Sequence, residues 1–232
     1  MYKEVTIDIK RKDYNIINTW EKGFHAEIVS RSIYKNHYLK DKELLRWNYC
    51  DFNNNLAKEQ QQYGDFIILN EDILRSIYAF NNDYYFMESK ACKVTSGEAK
   101  LFMDMYAYKG YTREYEPLRE PYRQGNTGTN IGWAMHNSQP RILTAYCIEK
   151  QTLYIIKRWQ ALSLEVKRLY QDTPYNRLQL PFDRQLNVPD RDNHGEIYKY
   201  TDCVILHLEK MSDNFMERYG IDVVKVNYKI QG

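Results

Sequence analysis

Residues 84–90 read Tyr-Tyr-Phe-Met-Glu-Ser-Lys, and residues 64–69 read Gly-Asp-Phe-Ile-Ile-Leu. Both segments are rich in aromatic and aliphatic residues, a composition that predicts β-strands. They nevertheless carry three ionisable side chains, Asp65, Glu88 and Lys90, at places where a packed sheet normally avoids charge. Side chains alternate between the two faces of a strand, so Glu88 and Lys90 are predicted to lie on the same side.

Charges among apolar residues need a partner, and a divalent cation would supply one. Asp65 and Glu88 offer the carboxylate oxygens that Mg²⁺ prefers. Lys90 would then lie beside an activated water and stabilise the charge that develops on a phosphate. Two alternatives stay open: a surface hairpin in which Glu88 and Lys90 form a solvent-facing pair, and a metal site in which Asp72 or Asp83 replaces Asp65.

In this order, the charged residues resemble the core of the PD-(D/E)xK nuclease superfamily, which includes many restriction endonucleases and Holliday-junction resolvases. That family has a helix bearing a Glu, a strand that begins with Asp, a strand carrying Glu-x-Lys, and a further helix. Residues 23–29, which contain Glu27, resemble the first helix, and residues 96–103 resemble the last one. The residue before Asp65 is Gly64, where the family name implies proline. The similarity extends over residues 20–110, under half of the chain.

The resemblance implies an α/β fold with a central mixed β-sheet flanked by helices, the restriction-endonuclease-like core, in a single domain spanning 1–232. It implies Mg²⁺-dependent hydrolysis of phosphodiester bonds in DNA by an endonuclease of restriction or resolvase type, with Mn²⁺ able to substitute. Asp65 and Glu88, with a backbone carbonyl of the intervening strand, would hold the metal. Lys90 would position the attacking hydroxide. Glu27 would add an outer contact or a second-metal contact, or would simply face solvent. Such nucleases commonly act as homodimers, which suits a palindromic site.

Hydrophobic periodicity predicts the order of the remaining elements. The predicted strands are residues 3–10, 141–148, 152–157 and 223–228, and the predicted helices are residues 13–47, 96–109, 160–171 and 203–219. Thr95 or Ser96 would cap the helix at 96–109, and Gly110 would end it.

The stretch 110–140 is too long for an ordinary connection in a compact domain, which predicts an insert that recognises the substrate. Its basic and amide side chains suit contacts to phosphates and to base edges. The candidate nucleic-acid ligands are Arg113, Arg119, Arg123, Gln124, Asn126 and Asn130. The alternative is a solvated loop with scattered charges.

Composition narrows the protein class less than the motifs do. Hydrophobic residues make up 43% of the chain and charged residues 28%, as in ordinary globular proteins. No apolar run could span a bilayer and the first residues do not read as a signal peptide, which predicts a cytoplasmic protein without membrane contact. The four cysteines and five histidines form no metal-binding spacing, so the cysteines are predicted to be small buried hydrophobes.

A non-enzymatic role is the alternative to a nuclease. The net charge of +2 neither demands nor excludes nucleic acid. In a viral structural, assembly or inhibitory protein, Glu88 and Lys90 would form a structural pair and the 22 tyrosines would serve protein contacts.

Overall fold

A computed structural model of the protein describes residues 2–10, 19–37, 42–46, 65–70, 85–109, 131–135, 140–172, 178–192 and 194–231. These residues form a mixed α/β fold of eleven strands and three helices. The strands are β1 (Tyr2–Lys10), β2 (Lys42–Arg46), β3 (Phe66–Asn70), β4 (Tyr85–Ala91), β5 (Lys93–Thr95), β6 (Glu98–Tyr108), β7 (Pro140–Cys147), β8 (Thr152–Ile156), β9 (Phe182–Arg191), β10 (Ile197–His207) and β11 (Ile221–Gln231). The helices are α1 (Thr19–His37), α2 (Trp159–Asp172) and α3 (Asp213–Tyr219).

Two sheets organise the fold. The larger one has seven strands in the order β1-β11-β8-β7-β4-β3-β2, and the smaller one has four in the order β5-β6-β10-β9. The larger sheet is mixed, because β2, β3 and β4 pair antiparallel whereas β4 runs parallel to β7 and β1 runs parallel to β11. This places β4, with its Glu-x-Lys segment, between an antiparallel neighbour and a parallel one.

The large sheet is covered on both faces. Helix α1 packs on one face through Ala26, Val29 and Ile33, which are fully buried against apolar residues of the sheet. The small sheet and α2 cover the opposite face, where Leu143 and Ala145 of β7 belong to one apolar cluster with residues of β6, α2 and β10. Because β4 lies between these two layers, its alternate side chains face different cores.

Several predicted elements are confirmed. Strands lie at 2–10, 140–147, 152–156 and 221–231, and β7 and β8 pair antiparallel as expected for a hairpin. Helix α2 matches the predicted helix at 160–171. Cys92, Cys147 and Cys203 are buried, as predicted for small hydrophobes.

The predicted helix at 96–109 is wrong, since these residues form the β5–β6 turn and strand β6. Every second residue of β6, from Ala99 to Ala107, is buried, which is the period of a strand with one face on a core. Ser96 does not cap a helix. Ser96 and Gly97 have φ values of 53° and 77° and form a two-residue hairpin turn between Thr95 and Glu98.

Two further helices were predicted too long. The helix predicted at 13–47 is confirmed only at 19–37, because residues 42–46 form β2 and pair with β3. The helix predicted at 203–219 is confirmed only at 213–219, because residues 197–207 form β10 between β6 and β9. In each case pairing with a distant strand determines the local conformation.

No helix among the described residues combines the length and apolar character needed to cross a bilayer.

Candidate active site

Glu88 and Lys90 lie on the same face of β4, as the strand period predicted. Their carboxylate and ammonium form an ion pair, with 14% of the Glu88 side chain and 29% of the Lys90 side chain exposed. The alternative of a fully solvent-facing pair is therefore wrong. The pair is mostly enclosed and keeps some contact with solvent.

The residues on either side of Glu88 point the other way. Met87 belongs to the apolar cluster beneath α1, and the Ser89 hydroxyl lies 3.0 Å from the hydroxyl of Ser30 on that helix. Glu88 and Lys90 therefore extend from the opposite face of the sheet, where the small sheet and α2 pack.

Asp65 joins this pair from the neighbouring strand. It is only 3% exposed and directly precedes β3, and its backbone N–H donates to the Met87 carbonyl at 2.9 Å. Its Oδ2 accepts the backbone N–H of Ser89 at 2.7 Å. The backbone N–H of Asp65 thus extends the β3–β4 ladder by one residue before Phe66, and the Asp65 carboxylate accepts the next N–H of β4. This fixes it beside the peptide that links Glu88 to Lys90.

The electrostatics of Glu88 show how close the charges are. The pKa of this carboxyl is raised from 4.5 to about 7, mainly by burial and also by the negative charge of Asp65, while Lys90 opposes the shift. The Asp65 carboxylate thus disfavours the ionised form of Glu88, and the Lys90 ammonium favours it. The site attracts positive charge.

Lys90 is a permanent cation in this setting. Burial alone would lower the pKa of its ammonium, but the carboxylates of Glu88 and Asp65 outweigh burial, and the pKa is raised above its ordinary value. An amine with a raised pKa cannot serve as a base near neutral pH. Lys90 can only donate hydrogen bonds and stabilise negative charge.

Glu27 lies on α1, the helix that packs on the other face of the sheet. It is 8% exposed and lies on the helix between two anchored residues. His25 Nε2 is 3.0 Å from the Tyr228 hydroxyl, and Ser30 contacts Ser89 of β4. Glu27 is therefore not the solvent-facing residue of the alternative interpretation. It lies on the opposite side of the sheet from Glu88 and Lys90.

One residue of the site, Trp133, was predicted from sequence only to stack on bases or to pack in the core, and its place beside Lys90 was missed. Its indole ring centroid is 5.1 Å from the Lys90 ammonium, so the ring and the cation are in contact range for a cation–π interaction. The signal was a tryptophan within the long connection before β7. No local pattern links such a residue to a strand that lies about forty positions earlier.

Other predicted site residues lie outside the residues that the structure describes. These are the alternative metal ligands Asp72 and Asp83 and the candidate nucleic-acid ligands Arg113, Arg119, Arg123, Gln124, Asn126 and Asn130. Their assignment stays a prediction from sequence.

The described donors fit a hard cation that takes few protein ligands. Asp65 and Glu88 supply carboxylate oxygens next to each other, and their mutual repulsion would be relieved by a dication. Within the described ranges, no three His, Cys, Asp or Glu side chains are grouped to hold a metal ion. Mg²⁺ is commonly held by one or two carboxylates, with waters and substrate phosphates completing its shell. The pair therefore suits Mg²⁺ better than an ion that demands a protein cage.

The titration of Glu88 is a direct test of this geometry. We expect its carboxyl to titrate near pH 7, and Asp65→Asn to lower the midpoint because it removes the neighbouring negative charge and can keep an oxygen for the Ser89 N–H. Because the folded pKa exceeds the unfolded one, the contribution of Glu88 to stability falls as pH rises from about 4.5 to about 7. NMR of the side-chain carboxyl carbons measures the midpoints.

Glu98 is the internal control for that titration. Its pKa is lowered by hydrogen bonds and ion pairs with Lys210 and His207, so it should titrate below its ordinary value in both proteins. A Glu88 midpoint near 4.5 in the wild type would contradict the burial of this carboxyl, and an unchanged midpoint in Asp65→Asn would contradict the close approach of the two carboxylates.

Comparison with protein-family models, with curated proteins and with solved structures found no match for this chain.

Proposed function

We propose that this protein is a Mg²⁺-dependent nuclease that hydrolyses phosphodiester bonds in DNA, as an endonuclease of restriction or resolvase type within the PD-(D/E)xK superfamily. One observation carries the proposal. Asp65, which precedes β3, and the Glu88–Lys90 pair of β4 meet at one enclosed position with two negative charges and one positive charge.

The three side chains have different roles. Asp65 and Glu88 would hold Mg²⁺ and, through it, the scissile phosphate. When bound, Mg²⁺ makes water a better nucleophile and neutralises charge on the phosphoryl group. Lys90 stays protonated and donates hydrogen bonds to the attacking or the phosphate oxygen, where negative charge develops. The Ser89 N–H holds the Asp65 carboxylate in place.

The order of elements supports this assignment up to the Glu-x-Lys strand. Helix α1 carries the buried Glu27 and packs against β4, and Asp65 stands at the start of β3. Glu27 lies across the sheet from Glu88 and Lys90, so the outer or second-metal contact predicted for it is left out of the proposed site. The chain departs from the family pattern after β4, where the β5–β6 hairpin replaces the expected helix.

DNA is the proposed substrate, and the stretch 110–140 is its proposed recognition insert. Double-strand cutting at a symmetric site would use a homodimer with one site for each strand. Branched DNA would be the substrate of a resolvase.

The experiment compares plasmid, linear duplex, four-way junction and single-stranded DNA, each with Mg²⁺, Mn²⁺ or EDTA. We expect cutting of at least one substrate with Mg²⁺ or Mn²⁺ and none with EDTA. Asp65→Asn protein, purified in parallel, controls for contaminating nucleases and should not cut. Mg²⁺ should also lower the Glu88 titration midpoint, because it binds the ionised carboxylate.

A folded wild-type protein that cuts no substrate with either metal would contradict the proposal. The non-enzymatic role, with Glu88 and Lys90 as a structural pair, would then be the better explanation.

A further inference from the structure

Trp133 contacts both Lys90 of β4 and Trp159 of helix α2. Its ring faces the Lys90 ammonium at 5.1 Å and also stacks on the Trp159 ring, with centroids 5.7 Å apart and an interplanar angle of 27°. Trp159 is the first residue of α2 and is only 2% exposed. The ring that faces Lys90 is therefore supported by a buried side chain on a regular helix.

The backbone around Trp133 is fixed as well. The Gly132 N–H donates to the Met105 carbonyl at 2.7 Å, and the Ala134 N–H donates to the Asp104 carbonyl at 3.1 Å. Ala134 is 2% exposed. Residues 131–135 are thus tied to β6 on both sides of the tryptophan.

We propose that Trp133 is a positioning residue for Lys90, an inference that rests on the proposed nuclease function for its catalytic meaning. A lysine side chain is a flexible chain of four carbons, so its ammonium keeps one position only when other groups contact it. Glu88 restrains the ammonium from one direction, and the indole face restrains it from another. An ammonium has three N–H donors, so the two contacts leave donor capacity for a substrate oxygen.

The contact also bears on how Lys90 works at its exposure of 29%. Without the ring, water could surround the ammonium and screen its charge from a phosphate. With the ring, the cation stays in a partly dry position and its interaction with the transition state is stronger. Trp133 touches neither metal nor phosphate in this scheme, and acts only through Lys90.

A chemical test does not depend on nuclease activity. Brief acylation of the folded protein with an amine-reactive acetyl ester, followed by peptide mass spectrometry, gives the labelling rate of each lysine. We expect Trp133→Leu to raise the labelling of Lys90 by about fivefold, the scale of a lost cation–π contact. Trp133→Phe, which keeps an aromatic face, should raise it less.

Lys150 is the reference within the same samples. It has the same side-chain exposure of 29% and forms an ion pair with Glu209, so its labelling should not change in either variant. Thermal unfolding of each variant identifies samples in which the fold itself is lost.

Steady-state cleavage then separates positioning from substrate contact. Trp133→Leu should lower kcat with little change in KM, and Trp133→Phe should recover most of the rate. A raised KM with unchanged kcat would show that Trp133 contacts DNA itself and would overturn the proposal.

Unchanged Lys90 labelling in Trp133→Leu would also overturn the proposal, whatever the cleavage assay gives. If the wild type cuts no substrate while Lys90 labelling rises in Trp133→Leu, the nuclease function is overturned and the restraint on Lys90 by Trp133 still holds.

Discussion

Lys90→Ala is expected to lower the rate of metal-dependent DNA cleavage by at least about a hundredfold, the scale of losing one donor that stabilises a developing oxyanion. Lys90 is the ammonium at the site and stays protonated because two carboxylates surround it. Under the proposed function, its removal would take away the hydrogen bonds to the reacting oxygens. It also leaves Glu88 and Asp65 facing each other, so the pKa of Glu88 should rise further and less of it will be ionised to bind Mg²⁺.

A loss of activity caused by unfolding of the variant must be distinguished from the loss of the Lys90 ammonium itself. Breaking a buried ion pair costs about 3–5 kcal/mol, and less here because both side chains retain some exposure. In the double variant Glu88→Gln/Lys90→Met the ion pair is replaced by neutral side chains of similar size. We expect the double variant to regain the stability lost in Lys90→Ala and to remain inactive.

Lys150→Ala is the matched control, since Lys150 has the same exposure as Lys90 and also pairs with a glutamate. It should keep wild-type activity. Full activity in Lys90→Ala, or activity that returns with stability in the double variant, would show that the ammonium has no part in the chemistry.

The candidate site was the most predictable part of the molecule. The strand period alone placed Glu88 and Lys90 on one face, and their ion pair confirms it. An aspartate directly before an apolar strand predicted the approach of Asp65, and its bond to Ser89 lies where the β3–β4 ladder ends. These inferences use two-residue periodicity and a neighbouring strand, so they need little knowledge of the tertiary fold.

The helix predicted at 96–109 is wrong, although the sequence contains the alternating pattern of a strand. The resemblance to the family pattern and the candidate cap at Thr95 or Ser96 favoured a helix over the alternation of Ala99, Leu101, Met103 and Met105. The Ser96-Gly97 pair is a hairpin turn because both residues adopt positive φ. Burial of the alternating β6 residues against the large sheet and α2 then outweighed helix propensity.

The long-range strand pairings could not be predicted from the sequence. The parallel pairs β4–β7 and β1–β11 join segments far apart in the chain, and no local pattern specifies such a partner. The same holds for Trp133, whose contact with Lys90 exists only because residues 131–135 dock on β6.

Gly132→Ala tests that docking and is expected to destabilise the protein by about 3 kcal/mol. A Cβ at this position would lie 2.2 Å from the Asp104 carbonyl oxygen, 2.4 Å from its carbon and 2.8 Å from the Met105 nitrogen. All three atoms belong to the backbone of β6 and cannot swing aside as a side chain could. The segment must therefore move, and the hydrogen bond from the Gly132 N–H to Met105 is strained or lost with it.

Urea unfolding measures the change, and Gly23→Ala is the control. Gly23 lies within α1, and among the described residues an added Cβ would meet no atom within 4 Å beyond its chain neighbours and the nearby helix backbone, so alanine there should stabilise by about 0.5–1 kcal/mol through helix propensity. The two Gly→Ala changes thus have opposite expected signs. Because Gly132 places Trp133 beside Lys90, Gly132→Ala should also reduce cleavage at temperatures where the protein remains folded. Wild-type stability in Gly132→Ala would mean that residues 131–135 are not packed on β6 as described.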